Sequence, residues 1–239
     1  MTWQPRPASV VLVYAGLSCP RCATELSPPD DWARSWSCPV HGEVAPVHPP
    51  VRASYYTLRS AAGRCHVPLW MPWPLPAGWT FSGLRLAGEE RSGAVAGVVA
   101  LTGPDPLPEA DPLSRIGHVE ADLLLVAEQP GVGLGAHLAG LTDLDAGSRL
   151  LESSASRVAD LKLVAAGHDT PLWTVETGSG CAAYVGEAAG VWLWVLLWPV
   201  HAAAVLLEEF ELIDTRDPGL RLDLPYGPPS LRLGPPPTA

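Results

Sequence analysis

Cys19, Cys22, Cys38 and His41 place four soft ligands close together in a chain that has only five cysteines and seven histidines. The pattern is C-P-R-C, fifteen intervening residues, then C-P-V-H-G. Thiolate and imidazole are the ligands that tetrahedral zinc prefers. A C-x-x-C pair brings both sulfurs onto one metal only if the chain turns sharply between them. Pro20 and Pro39 favour those turns by fixing φ, and Gly42 permits the tight turn after His41. Two knuckles at this separation match a zinc-ribbon spacing, with His in the last position. Three thiolates, a neutral imidazole and Zn²⁺ sum to a charge of −1 and leave no ligand position open, so the predicted site is structural. A thioredoxin-like redox pair would need its C-x-x-C at the start of a helix in a βαβ unit, which Pro20 and the second pair argue against.

The elements that hold these ligands must be local. About thirty residues cannot bury enough surface to fold alone, and a structural zinc compensates by contributing on the order of 10–16 kcal/mol. Trp32 and Trp36 lie between the knuckles and are expected to pack over the site. Within residues 18–48, Arg21 and Arg34 face Glu25, Asp30, Asp31 and Glu43. That balance has the wrong sign for a phosphate backbone.

The whole chain has 239 residues, of which 47% are hydrophobic and 17% charged, with a net charge of −10. Such a composition buries a core, and its acidity argues against nucleic acid and anionic membranes as partners. Lysine occurs once, at Lys162, and asparagine never, as codon bias in a high-GC genome would produce. The organisation read from composition is a disordered tail at 1–17, the zinc ribbon at 18–46 and a Pro-interrupted linker at 47–65. An α+β domain follows at 66–233, then a Pro-rich tail at 234–239. Seven short apolar runs punctuated by Gly, Pro, Asp and Ser read as strands: 78–88, 92–103, 120–128, 161–167, 171–177, 181–187 and 191–198. Residues 200–213 read as a helix. Few helices separate the strands, so the expected architecture is a mainly antiparallel sheet with one or two helices on one face.

Two apolar runs imitate membrane signals. Residues 10–19 resemble a lipoprotein signal, but Cys19 opens the metal motif and cannot be both lipidated and a ligand. Residues 188–207 are long enough to span a bilayer, yet contain Pro199 and His201 and have acidic flanks, so strand followed by helix is the better reading. A cytoplasmic location is expected.

Weaker chemical signals remain. Gly131, Gly133 and Ala136 form a G-x-G-x-x-A arrangement after a strand, and such a loop lets backbone N–H groups approach a phosphate. His137 is the acid–base candidate there. The segment 69–81, with Trp70, Trp73 and Trp79, reads as an entry segment capping the sheet, or else as an aromatic groove. Trp192, Trp194 and Trp198 share one parity and hence one strand face. His118, His137, His168 and His201 have no ligand spacing. Glu128, Glu187, Glu208 and Glu209 are the carboxylates from which an acid–base pair could come. Cys65 and Cys181 stand alone and read as small buried hydrophobes.

Taken together, the C-x-x-C…C-x-x-H ribbon, VPLWMPWPLPAGW, ADLLLVAEQPGVGLGAHLAG, PLWTV, VWLWVLLWP and IDTRDPG resemble a family of uncharacterised proteins from high-GC Gram-positive bacteria. The likeness runs from about Cys19 to Leu233. It implies a cytosolic, ribbon-bearing protein and carries no catalytic residues with it. The expected function is a non-catalytic interaction or regulatory module with a protein partner. The alternative is an enzyme acting on a phosphorylated or acylated small molecule through the Gly131–His137 loop.

Overall fold

The seven apolar runs all become strands, and on the central ones both faces are covered. The computed structural model describes residues 16–30, 33–106, 120–141, 158–178 and 180–234. In chain order its elements are β1 (Ser37–Cys38), β2 (Gly42–Glu43), α1 (Tyr55–Ala62), β3 (Trp70–Trp73), β4 (Thr80–Glu89), β5 (Gly93–Pro104) and β6 (Glu120–Glu128). Then come α2 (Leu134–Leu138), β7 (Leu161–Ala165), β8 (His168–Val175), β9 (Ala182–Ala188), β10 (Val191–Trp198) and β11 (Glu211–Asp214). Two 3-10 helices cover Val200–Leu207 and Leu231–Leu233. His118 and Trp32 lie outside the described residues, as does almost all of both tails.

The protein is mostly β. β1 and β2 form a small hairpin, and the other strands make a nine-stranded sheet in the order β3-β11-β7-β8-β9-β10-β6-β5-β4. Every neighbouring pair is antiparallel except β11 with β7. On the central strands, Val99, Leu101, Leu123, Leu125, Val195 and Leu197 feed one buried cluster. Their neighbours Val98, Ala100, Leu124, Val126, Trp194 and Leu196 feed a second, on the other face. Burial of both faces is why these strands read as continuous apolar runs without polar alternation. The sheet curls around the first cluster. The lead-in to β3, at one edge, hydrogen-bonds to β5, next to the other edge: His66 N–H donates to the Ala94 carbonyl at 2.9 Å and Ala94 N–H to the Arg64 carbonyl at 2.8 Å.

Residues 47–65 do more than link. Ser54 caps α1, accepting the Thr57 N–H at 3.1 Å, and Leu58 and Ala61 enter the first core. Upstream, Val51 N–H donates to the Leu84 carbonyl at 2.8 Å and His48 N–H to that of Leu86 at 2.9 Å. Further along β4, Phe81 N–H donates to Pro225 and Gly227 N–H to Phe81, both at 2.9 Å. Two segments distant in sequence thus share the task of covering one exposed sheet edge, which would otherwise be a template for association.

Other expectations change as well. The helix read over 200–213 is a 3-10 helix ending at Leu207, and β11 takes Glu211–Asp214. Pairing between β3 and β7 buries Leu212 completely, and tertiary pairing overrides the helical composition. The helices do not share a face: α1 contributes to the first cluster, α2, through Leu134 and Ala136, to the second. The apolar run 188–207 is divided between β10 and the 3-10 helix, and no helix among the described residues is long and apolar enough to cross a membrane. Trp70 and Trp79 are core, while Trp73 is 38% exposed. Trp192, Trp194 and Trp198 all belong to the second cluster, as their shared parity predicts.

Candidate metal centre

The first knuckle is closed by backbone bonds. Cys19 N–H donates to the Thr24 carbonyl at 2.8 Å, and Ala23 N–H to that of Cys19 at 2.9 Å. Arg21 N–H points at the Cys19 sulfur, 3.5 Å away, a contact that favours a thiolate. The second knuckle is the β1–β2 turn, where Gly42 takes a left-handed φ of 67°. Leu17, Leu26, Trp36 and Val44 pack around Cys19, Cys22 and Cys38 in a third, separate apolar cluster. Trp36 therefore covers the centre as its position suggests.

The four ligand atoms of Cys19, Cys22, Cys38 and His41 lie within 4.8 Å of one another, and this cluster could hold a metal ion. A tetrahedral zinc with bonds of about 2.3 Å to sulfur and about 2.05 Å to nitrogen separates two sulfurs by about 3.8 Å and a sulfur from a nitrogen by about 3.6 Å. Here Cys22 Sγ is 3.7 Å from Cys38 Sγ. His41 Nδ1 is 3.4 Å from Cys19 Sγ and 3.6 Å from Cys38 Sγ. The donor set therefore fits the ion in both chemistry and size. Burial pushes the Cys19 thiol up to about 12, so a bound metal has to displace its proton. At Cys22 burial works in the same direction, but hydrogen bonding with Thr24, Cys19 and Cys38 together outweighs it and lowers the thiol below its ordinary value.

Two arginines fasten this centre to the sheet. Arg85, on β4, is 8% exposed. It donates to the His48 carbonyl at 2.8 Å, the Leu233 carbonyl at 3.0 Å and Ser18 Oγ at 3.2 Å. One buried guanidinium thus joins the residue before Cys19, the stretch covering the sheet edge and the C-terminal 3-10 helix. Arg21, between the first two ligands, donates from Nε to the Val132 carbonyl at 3.2 Å and from its terminal nitrogen to that of Gly131. Neither contact was readable in the sequence, because each joins residues from distant parts of the chain.

The Gly131–His137 loop is organised by groups of the protein itself. Glu128, 2% exposed, accepts the Leu134 N–H at 2.6 Å. Burial raises its carboxyl to about 7, against the opposing support of the Gly135, Leu134 and Gly133 N–H groups. The Trp194 indole N–H, beside the carboxylate, also favours the charged form. The amides that a phosphate would need are thus already turned toward an internal carboxylate. His137 is held below its usual range by burial and by the Arg85 charge.

The remaining candidates are dispersed. Glu128 and Glu187 both lie opposite Trp192, two strands apart, which is about 10 Å and too far to share a proton. Glu208 and Glu209 are exposed beyond the 3-10 helix, and His168 is exposed on β8. His201 Nε2 meets Asp105 Oδ2 at 2.6 Å. Cys65 and Cys181 are buried, in the first and second clusters respectively.

Gly133→Val tests the loop. Gly133 has φ 83°, and a Cβ there would meet Arg21 Cγ at 3.1 Å. A β-branched residue in that conformation is expected to cost on the order of 1–3 kcal/mol and to lower the melting temperature by roughly 3–10 °C. Nucleotides, acyl-CoA and phosphorylated metabolites are expected to shift neither wild type nor variant in thermal-shift assays. A shift seen only in wild type would restore the phosphate reading.

The fold and centre define a class: a mostly β protein built on a curled nine-stranded sheet, carrying a Cys₃His cluster able to hold a metal. The chain belongs to a family of unknown function, DUF6758, whose model matches residues 14–233. No curated protein and no solved structure matches it.

Proposed function

We propose that Cys19, Cys22, Cys38 and His41 bind one structural zinc as a ribbon, and that the protein is a non-catalytic interaction or regulatory module of the bacterial cytoplasm. The agreement of three ligand-pair distances with a tetrahedral ZnS₃N centre carries the metal reading. With all four positions taken by protein, the ion has none left for a substrate, so its role is to hold residues 17–47 in shape. A protein partner is favoured by the surface. Tyr55 and Tyr56 are 51% and 82% exposed and stand edge-to-face with centroids 5.8 Å apart. Tyr226 is also exposed, at 46%. Exposed tyrosines of this kind are enriched at protein interfaces. The chain's net charge of −10 opposes nucleic acid and anionic lipid. The enzyme alternative lacks such support, since the Gly133, Leu134 and Gly135 amides already face Glu128.

Elemental analysis of protein purified without chelator is expected to give about one zinc per chain. Near-zero zinc, with Cys19, Cys22 and Cys38 all reduced, would sink the assignment.

A further inference from the structure

Arg21 belongs to the metal centre by position and to the sheet domain by contact. Its guanidinium takes the carbonyls of Gly131 and Val132. Glu128 accepts the Leu134 N–H from the other side of the same loop. The loop between β6 and α2 is therefore gripped between a cation at its carbonyls and a carboxylate at its N–H groups. The cationic half of that grip depends on the knuckle. Ala23, two residues beyond Arg21, sits at φ 56°, a left-handed conformation that alanine keeps only where its surroundings impose it. Coordination of Cys22, its immediate neighbour, is such an imposition. Cys19 and Cys38 are 1% and 4% exposed, whereas Cys22 is partly open to solvent. Its sulfur lies 3.7 Å from that of Cys38.

We infer that the centre is a redox-released clasp: a peroxide joins Cys22 to Cys38, the metal leaves, and Arg21 lets go of the loop at residues 129–133. The inference rests on the zinc reading above. The Cys22 thiolate attacks one peroxide oxygen, giving a sulfenic acid and hydroxide. The Cys38 thiolate then displaces hydroxide from that sulfur and the disulfide forms. Each sulfur gives up one electron, the broken O–O bond takes both, and two solvent protons convert the two hydroxides to water. Zinc keeps only Cys19 and His41 and dissociates. The sulfurs close from 3.7 Å to about 2.05 Å. That movement shifts the Cys22 side of the knuckle, removes the constraint on Ala23 and carries Arg21 off the carbonyls.

The test uses full-length, zinc-loaded protein treated with hydrogen peroxide. It reads zinc release with a chromogenic chelator, disulfide pairing by peptide mass spectrometry, and amide hydrogen exchange over residues 129–141. The expected result is one zinc released per chain, a Cys22–Cys38 disulfide, and exchange at 129–141 faster by about tenfold or more. Reductant with added zinc is expected to reverse all three. Arg21→Ala is expected to keep zinc yet show fast exchange at 129–141 before any oxidation, with no further change after it; Arg21→Lys is expected to fall between. Zinc release with unchanged exchange at 129–141 overturns the clasp, as does wild-type protection in Arg21→Ala. Oxidation of Cys22 to sulfinic acid without a disulfide overturns the redox step. Protein that never held zinc fails the earlier reading instead, and the Arg21→Ala exchange still judges the grip on the loop.

Discussion

Cys38→Ser is expected to empty the metal centre, leaving less than about a tenth of the wild-type zinc, and to unfold residues 17–47. Cys38 is 4% exposed and packs in the small cluster with Leu17, Leu26 and Trp36. That cluster is too small to stand without its ion. A structural zinc contributes on the order of 10–16 kcal/mol to a module that is otherwise unfolded. The sheet supplies part of that organisation here, through Arg85, Arg21 and the pairing of Val47 with Ala87. If even a quarter of the metal's contribution reaches the whole chain, the melting temperature falls by roughly 6–12 °C. Trp36 should also shift its emission to the red as its cover opens. Cys65→Ala is the control: it lies in the first core cluster, away from the ligands, and is expected to retain full zinc while losing about 1 kcal/mol. Retention of zinc by Cys38→Ser, or its loss in Cys65→Ala, would contradict the assignment of ligands.

Glu128→Ala is expected to cost about 3 kcal/mol, because it strips the acceptor from buried N–H groups at the start of α2. The more informative variant is Glu128→Gln, which keeps the shape and removes the titration. Burial lifts the Glu128 carboxyl from 4.5 to about 7 in the folded protein. The folded state then binds this proton more tightly than the unfolded one. The stability that results is complete below about pH 4.5 and is lost as pH rises to about 7, amounting to about 3 kcal/mol across the window. Metal release in acid acts with the opposite sign on wild type and variant alike. The difference between their stability curves is therefore the quantity to measure. It is expected to change by about 3 kcal/mol between pH 4.5 and 7 and to be flat above and below. Parallel curves through that window would show that Glu128 does not titrate as its burial implies.

The arrangement of Glu128 and Arg21 around one loop bears on both experiments. Gly131 and Val132 present carbonyls to Arg21, while the Gly133, Leu134 and Gly135 amides turn toward Glu128. Loss of either partner leaves the other holding one side of a loop that joins the sheet to α2. The Glu128 and Arg21 variants are therefore expected to be non-additive, as for groups that share a partner.

What the sequence determined by itself was the part of the molecule set by short-range rules. The Cys and His spacings, with their prolines and Gly42, belong to turns a few residues long, so the four residues that the fold gathers into one cluster able to hold a metal could be named from the chain alone. The strands of the central sheet were also legible, because burial on both faces demands unbroken apolar runs. The tertiary structure decided the rest. Residues 47–65 look like a linker, yet Leu58 and Ala61 complete a core that only the curl of the sheet creates. Residues 211–214 look helical, yet β3 and β7 claim them as a strand. Arg85 and Arg21 look like two ordinary basic residues. They become fasteners because folding brings them to carbonyls as far as 148 and 111 residues away. Those contacts have no local signature: a carbonyl accepts the same hydrogen bond whatever side chain its residue carries, so its identity leaves no trace in the sequence.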